Sequence, residues 1–221
     1  MTVPVSDSEL VSRLGRWEAH QGRSFPWRLS SIPFHVLSVE IFLQRTRADQ
    51  VVPIFEELEQ TTSGPVDVLA LGRDRVDEWF DALGLKWRAD HYWNLCRELV
   101  AEYGGEVPAN RDALMSLPGV GQYAAGSTLT YAFGKPTGVV DSNILRVYSR
   151  YYGIEFSDSD RRKRSVHEWV DNHLPQDPGE ARLYSLGLID LGALICTPRL
   201  PDCEACPLAE TCAYAASGRD S

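Results

Sequence analysis

Apolar side chains recur at helical spacing along almost the whole chain. Leu10, Leu14 and Trp17 follow one another at i, i+4 and i+7, and the segment 95–100 continues the pattern. The two-residue alternation that predicts a strand is not sustained anywhere, and glycine and proline separate the apolar stretches. This pattern predicts an all-α fold.

The apolar periods and the breaks between them give the bounds of the predicted helices. These bounds are 7–20, 33–46, 48–60, 65–71, 73–83, 87–103, 110–116, 122–133, 142–152, 160–173 and 180–195. We find no internal repeat of fixed period and no low-complexity tract. The short tail 215–221 is expected to fray, as chain ends commonly do.

Composition is that of an ordinary globular protein and argues against two other classes. Of the 221 residues, 43% are hydrophobic and 24% are charged. Charged residues are scattered through the first thirty positions, where a secretory signal would need an apolar segment. No apolar run reaches the roughly 20 residues of a membrane helix. We therefore expect a cytoplasmic protein with no membrane partner.

The net charge of −9 does not by itself suggest a nucleic-acid partner. The charge is unevenly distributed, however. Between 51 and 81 there are eight acidic residues and two arginines, a net of −6, whereas between 111 and 150 there are four basic and two acidic residues, a net of +2. Charge therefore neither predicts nor excludes binding to DNA.

The segment 114–129 is the first that carries candidate chemistry. A helix is predicted to stop at Pro118, and an Ala/Gly-rich helix to begin after Gly119-Val120-Gly121. Glycines in such a turn leave backbone N–H groups unobstructed at a helix start, where they suit a phosphate. The alternative is a plain turn between two helices, in which the glycines serve only the backbone.

Two carboxylates are candidate catalytic groups. Asp141 directly precedes the predicted helix 142–152, so a purely structural role as its N-cap stays open. Glu40 stands between Val39 and Ile41 in an otherwise apolar helix. A carboxylate in that setting either faces solvent or is buried for a purpose.

Four of the five cysteines lie within seventeen residues. Cys196, Cys203, Cys206 and Cys212 have the spacing C-x6-C-x2-C-x5-C. Disulfides are not expected in a reducing compartment, so the thiols suit either a tetrahedral Zn²⁺ or a [4Fe–4S] cluster. The remaining cysteine, Cys96, is expected to be a buried thiol.

Together these motifs resemble the helix-hairpin-helix superfamily of DNA glycosylases, which includes endonuclease III and the adenine glycosylase MutY. The resemblance runs from about Arg23 to Cys212 and rests on Phe-Pro-Trp-Arg at 25–28, Leu-Pro-Gly-Val-Gly at 117–121 and the loop 134–141. It implies two helical lobes with DNA between them. Residues 30–139 would form a six-helix lobe with the hairpin, and residues 1–29 with 140–221 a discontinuous lobe with the iron–sulfur cluster loop.

The resemblance implies base removal by three residues. Asp141, held ionised by the helix dipole and hydrogen bonds, would stabilise positive charge on the sugar, an effect worth about 3 kcal/mol. Glu40 would exchange a proton with the base or with water. Tyr123 stands where endonuclease III has a lysine that forms a Schiff base. Because a phenol cannot form that imine, we expect a glycosylase without AP lyase activity.

The resemblance also assigns residues to DNA. Trp87 would fill the gap left by a flipped nucleotide, with Leu85 and Lys86 as alternatives, and packing onto the core is the structural alternative for Trp87. Backbone carbonyls of the hairpin would hold a monovalent cation. The predicted DNA contacts are Gln44, Arg45, Leu85, Lys86, Trp87, Gly119, Val120, Gly121, Gln122 and Arg199.

Two features favour one branch of the superfamily. The chain ends nine residues after Cys212, without the further domain by which MutY recognises 8-oxoguanine, and archaeal T/G mismatch glycosylases share the tyrosine at Tyr123. We therefore expect a monomer that removes thymine or uracil mispaired with guanine in double-stranded DNA. Gln44 and Gln122 depart from the arginine and lysine expected there. A short adenine glycosylase and a non-catalytic DNA-binding module remain alternatives.

Overall fold

The computed structural model describes residues 8–218, and the regular structure in that range consists of helices and helical turns without any strand. The all-α prediction is therefore confirmed. The chain divides into two compact units. We call Ser24–Phe133 the central unit and Met1–Arg23 with Gly134–Ser221 the terminal unit. The divisions fall at 23/24 and 133/134, six residues earlier than the lobe boundaries expected from the sequence.

The central unit is built around one apolar helix. Its α-helices are α2 (Pro33–Phe42), α3 (Ala48–Thr61), α4 (Pro65–Leu71), α5 (Arg73–Ala82), α6 (Ala89–Tyr103), α7 (Arg111–Ser116) and α8 (Gln122–Phe133). Every residue of α2 from Phe34 to Phe42 is buried. The helix packs along α8 and also touches α3. This enclosure explains why α2 shows no polar face in the sequence.

The terminal unit joins the two ends of the chain. Its α-helices are α1 (Ser8–Gln21), α9 (Ser142–Tyr152), α10 (Arg164–Asp171), α11 (Pro178–Leu194) and α12 (Ala213–Ala216). The apolar face predicted for α1 is buried at Leu10, Leu14 and Trp17, and α1 packs along α11. An ion pair between Arg23 and the fully buried Asp190, at 2.7 Å, ties the end of the α1 segment to α11.

The largest differences from the predicted helices are at three places. The helix expected over 33–46 stops at Phe42, because residues 43–46 form a turn in which Arg45 has φ +59°. The helix expected over 160–173 is divided into a 3-10 turn, Asp158–Arg162, and α10. Part of the tail expected to fray is ordered as α12, whereas 219–221 lie outside the described residues. Over residues 8–218, helices long and apolar enough for a membrane span are absent.

The close approach of α1 and α11 gives a test of the packing. A Cβ placed on Gly187 in α11 would lie 2.7 Å from Leu14 Cγ, whereas a Cβ on Gly15 in α1 would meet nothing within 4 Å. We expect Gly187→Ala to destabilise the protein by about 1–3 kcal/mol through overpacking. Gly15→Ala, as the matched control, should leave stability unchanged or raise it by up to about 1 kcal/mol. Equal denaturant midpoints for the two variants would contradict this packing.

Candidate active site

Asp141 is the N-cap of α9 in the terminal unit. Its Oδ1 accepts a hydrogen bond from the backbone N–H of Ile144 at 2.7 Å, and its Oδ2 accepts one from Asn143 Nδ2 at 3.3 Å. The side chain is half-buried. One carboxylate oxygen therefore caps the helix while the group keeps a solvent-accessible portion, so a structural role and a chemical one are compatible in this residue.

Hydrogen bonds and burial act on Asp141 in opposite directions. Burial raises the pKa of Asp141 above its ordinary value, and the hydrogen bonds from Ile144 and Asn143 lower it. The expectation from the sequence considered only the second influence. Burial is the larger of the two influences, so the pKa of Asp141 lies above its ordinary value. The hydrogen bonds at the helix start offset part of the cost of burying the carboxylate.

Asp141 is positioned by a chain of contacts that ends at the cysteine-rich loop. Asn143, which donates to Asp141, accepts a hydrogen bond from Arg146 Nη2 at 2.7 Å. The same guanidinium donates to the carbonyl oxygens of Gly192 at 2.7 Å and Cys196 at 2.8 Å. A Cβ on Gly192 would lie 2.8 Å from Asn143 Cβ, so α9 and α11 are in close contact at this point.

Glu40 is buried in the last turn of α2 in the central unit. Its side chain is 7% exposed, which decides against the solvent-facing alternative. Burial raises the pKa of Glu40 to about 8, while the nearby hydroxyl of Ser127 and the charge of Arg28 act in the opposite direction. At neutral pH the carboxyl therefore holds its proton, which is the state that a general acid requires.

Tyr123 and the hairpin lie in the same unit as Glu40. Tyr123 is half-buried in the first turn of α8. Gly119 has φ +78°, a conformation that favours glycine, and both Gly119 and Gly121 are exposed. The Val120 side chain is buried, and its N–H donates to the Leu117 carbonyl at 3.2 Å. The sequence had suggested that the hairpin N–H groups are unobstructed. The N–H of Val120 is instead occupied within the turn.

The turn after α2 is attached to the hairpin. Gln44 Nε2 donates to the carbonyl oxygen of Gly119 at 3.0 Å, so this carbonyl, one candidate for holding a cation, already has a donor. Arg45 is exposed. The side-chain oxygen of Gln122 is buried and has no hydrogen-bond partner among the described residues. Gln44 and Gln122, the two departures from the family pattern, thus both lie at the hairpin.

The loop expected to supply a wedge presents Trp87 to solvent. Trp87 is 56% exposed, which decides against packing onto the core, and the Arg88 guanidinium lies over its ring at 4.8 Å. Arg88 itself is buried and donates to the carbonyl oxygen of Gln44. Leu85 packs against the core of the unit, and Lys86 is exposed beside Asp81 at 2.9 Å. Trp87 is thus the most exposed apolar group of this loop.

The four clustered cysteines line one cavity in the terminal unit. These residues are Cys196, Cys203, Cys206 and Cys212. Burial raises the pKa of the Cys206 thiol to about 11, and its neighbours Cys196 and Cys212 add to the shift. Over residues 8–218, no three His, Cys, Asp or Glu side chains form a group that could hold a single metal ion. The four thiols thus share one cavity.

Basic side chains surround this loop. Arg150 of α9 donates to the sulfur of Cys196 at 3.2 Å and to the carbonyl of Thr197 at 2.7 Å, and its guanidinium lies over the Tyr214 ring at 4.8 Å. Arg199 is exposed on the loop. Cys96, the fifth cysteine, is buried in the core of the central unit, as expected.

Sequence analysis missed the residues that hold the candidate groups in place. Asn143 and Arg146 stand inside the motif around Asp141, and Arg88 directly follows the wedge candidate, yet none of them was assigned a role. Their partners are mainly backbone carbonyls distant in the chain. One signal could have identified Arg146: an arginine that stands among the apolar positions of a helix is expected to have hydrogen-bond partners for its guanidinium.

Comparisons with known proteins identify the family of the chain. Residues 39–172 match the family described as the HhH-GPD superfamily base excision DNA repair protein. Thymine/uracil-DNA glycosylase of Methanothermobacter thermautotrophicus is 35% identical over 193 residues, which cover 87% of this chain and 86% of that protein. Thymine-DNA glycosylase of Aeropyrum pernix is 34% identical over 209 residues, 93% of each chain. The solved structure of a thermostable thymine-DNA glycosylase is similar with a TM-score of 0.86, 33% identity and coverage of 96% and 98%.

The chain belongs to the HhH-GPD superfamily of base excision DNA repair proteins. The resemblance to helix-hairpin-helix DNA glycosylases inferred from the motifs is thereby confirmed.

The buried carboxyl of Glu40 predicts a pH-dependent stability. Below about pH 4.5 it is protonated in folded and unfolded chains alike; between that pH and about 8 only the unfolded chain loses the proton. The folded state therefore loses stability as pH rises through this window. We expect Glu40→Gln to be more stable than the wild type by about 3–5 kcal/mol at pH 8 and above, at about 1.4 kcal/mol per pKa unit.

The measurement is the free energy of unfolding by denaturant between pH 4 and 9. Glu56→Gln is the matched control, since Glu56 is exposed on α3 and its replacement should give no such pH-dependent gain. A Glu40→Gln curve parallel to that of the wild type across this range would show that Glu40 is not buried with a raised pKa.

Proposed function

We propose that the protein is a monofunctional DNA glycosylase that hydrolyses the N-glycosidic bond of thymine or uracil mispaired with guanine in duplex DNA. The observation that carries the proposal is the burial of the Glu40 carboxyl on α2, the helix that packs along α8, because this burial raises its pKa to about 8. Binding to DNA without chemistry requires no such acid. The family of base excision repair proteins, and relatives named for thymine and uracil, support the substrate class.

Glu40 is the proton donor and acceptor in this proposal. As the bond between the sugar and the base breaks, the bonding electrons go to the base, and the proton of Glu40 neutralises the charge that develops there. The resulting carboxylate then accepts a proton from the water that attacks the sugar carbon. Each turnover thus returns Glu40 to its protonated state, and proton transfer by a positioned group contributes about 10²–10⁴-fold in rate.

Asp141 supplies electrostatic stabilisation to the sugar. Loss of the base leaves positive charge on the ring, and a carboxylate held in position by hydrogen bonds can stabilise that charge by about 3 kcal/mol. Its contacts with Ile144 and Asn143 keep the group oriented. Arg146 supports this orientation indirectly, because it donates hydrogen bonds to Asn143 and to the carbonyl oxygen of Cys196.

Tyr123 makes AP lyase chemistry by a Schiff base unavailable at its position. A phenol has no amine with which to form an imine with the sugar, so we propose that the product is an intact abasic site. Trp87, exposed and backed by Arg88, is the proposed wedge that occupies the gap left by the flipped nucleotide. Gly119 and Gly121 are exposed for the close approach of a phosphate.

The substrate proposal is tested with duplexes that each contain one defined pair. We expect base release from T·G and U·G pairs, and none from A·G, A·8-oxoguanine, T·A or C·G pairs. Asp141→Asn should lose at least about 100-fold in single-turnover rate, in line with removal of one preorganised charge. Release of adenine instead would favour the adenine glycosylase alternative, and a wild type inert on all duplexes would favour a DNA-binding module.

The same reactions in the presence of borohydride test the absence of lyase activity. We expect no covalent enzyme–DNA adduct and no strand cleavage until the abasic product is treated with alkali. A trapped adduct in high yield would contradict the role given to Tyr123.

We further propose that the four cysteines hold a [4Fe–4S] cluster. Four thiols that line one cavity are the donor set of such a cluster, and their spacing, C-x6-C-x2-C-x5-C, supports the assignment. When bound, the cluster would order the loop 196–212 by cross-linking it. It takes no part in the proton transfers proposed above. Arg150, which donates to Cys196, would stabilise the thiolate.

Metal analysis of protein purified without oxygen tests this assignment. We expect a brown preparation with four irons per chain, and loss of iron and colour in Cys203→Ala. Cys96→Ala is the matched control, because Cys96 is buried in the other unit, and it should retain its iron. A colourless protein containing one zinc per chain would contradict the proposal.

A further inference from the structure

A buried hydroxyl beside Glu40 has no part in the reaction described so far. Ser127 lies on α8, the helix along which α2 packs, and its side chain is 0% exposed. Its Oγ has no partner in ordinary hydrogen-bond geometry among the described residues. Ala124, Ala125 and Gly126 precede it as apolar residues. Since an unpaired hydroxyl is costly to bury, its presence on this helix face requires a reason.

The Glu40 carboxyl is the group on which the Ser127 hydroxyl acts. In this structure the Ser127 hydroxyl makes no hydrogen bond to a described residue, yet it lies near enough to the Glu40 carboxyl to favour the ionised form of that group. Arg28, in the turn Pro26–Arg28, is the one charged group that acts on Glu40 among the described residues. Among the described residues, no charged side chain of α3, which also packs against α2, and no tyrosine of α8 changes the pKa of Glu40.

We propose that Ser127 is a positioning residue that donates a hydrogen bond to Glu40 in its ionised state and so sets the acidity of the catalytic group. This inference rests on the proposed role of Glu40. A protonated carboxyl is a poor acceptor and leaves the hydroxyl without a firm partner. The carboxylate is a strong acceptor. Since Ser127 and Glu40 are both buried on helices that pack along each other, the hydroxyl can turn toward the carboxylate without any movement of the helices.

The proposal fixes the sign of the effect of Ser127→Ala. Without the hydroxyl, the carboxylate loses a stabilising contact, so the pKa of Glu40 rises above the value of about 8 that it has with Ser127 present. Glu40 then keeps its proton to higher pH but releases it less readily. The variant should therefore be slower near neutral pH and should retain its activity further into the alkaline range.

The first measurement is the single-turnover rate on a T·G duplex between pH 6 and 10. We expect Ser127→Ala to shift the limb near pH 8 upward by about 0.5–1 unit and to reduce the rate at pH 7 by about three-fold or more, as expected for loss of one hydrogen bond. Ser127→Cys, a weaker donor, should fall between the two. Thr128→Val is the matched control, because the Thr128 hydroxyl donates to the Ala124 carbonyl at 2.7 Å; its profile should match that of the wild type.

The second measurement does not depend on activity. The gain in the free energy of unfolding that Glu40→Gln produces is measured as a function of pH, once in the wild-type chain and once in the Ser127→Ala chain. The pH at which this gain reaches its plateau reports the pKa of Glu40 in the folded protein. We expect this pH to be higher with Ser127→Ala. The same pH in both backgrounds would overturn the proposal. A difference between them in a protein that releases no base would uphold the pairing and reject the proposed function instead.

Discussion

α2 packs along α8, and the part of α8 that precedes Ser127 consists of small residues. Ala124, Ala125 and Gly126 are all buried there, and small side chains let two helix backbones approach closely. The packing excludes water from the last turn of α2, and this burial raises the pKa of Glu40 to about 8. The chemistry proposed for the carboxyl is therefore a consequence of helix packing and would be lost if the two helices separated.

The terminal unit adds hydrogen bonds to the partial burial of its carboxylate. Asp141 is at a helix start and half-buried, and donors surround it. Arg146 connects it to backbone carbonyls of Gly192 and Cys196. The orientation of Asp141 thus depends on the folding of a loop more than fifty residues further along the chain. Burial raises the pKa of both acids, and Asp141 is in addition held in place by hydrogen bonds from Ile144 and Asn143.

Much of this arrangement could be predicted because local signals and tertiary structure agree. Helix α1 has an apolar stripe, and Asp141 stands at a helix start, so both could be assigned from neighbouring residues alone. The burial of Glu40 could not, because α2 is apolar on every side and its periodicity marks no solvent face. The end of α2 was misplaced because the turn uses Arg45 in a left-handed conformation where a glycine would have been the recognisable stop. Contacts made by Arg146 depend on partners distant in the chain, which a single sequence does not reveal.

The backbone at Arg45 has a consequence for how this protein can evolve. A side chain at φ +59° is strained by about 1–2 kcal/mol relative to glycine. Selection for thermal robustness alone would therefore favour glycine at this position. That substitution would remove a cation from the turn that Gln44 attaches to the hairpin. At this position, the stability of the fold and the electrostatic attraction for a polyanion therefore favour different residues. We expect lineages that live at different temperatures to resolve this trade-off differently.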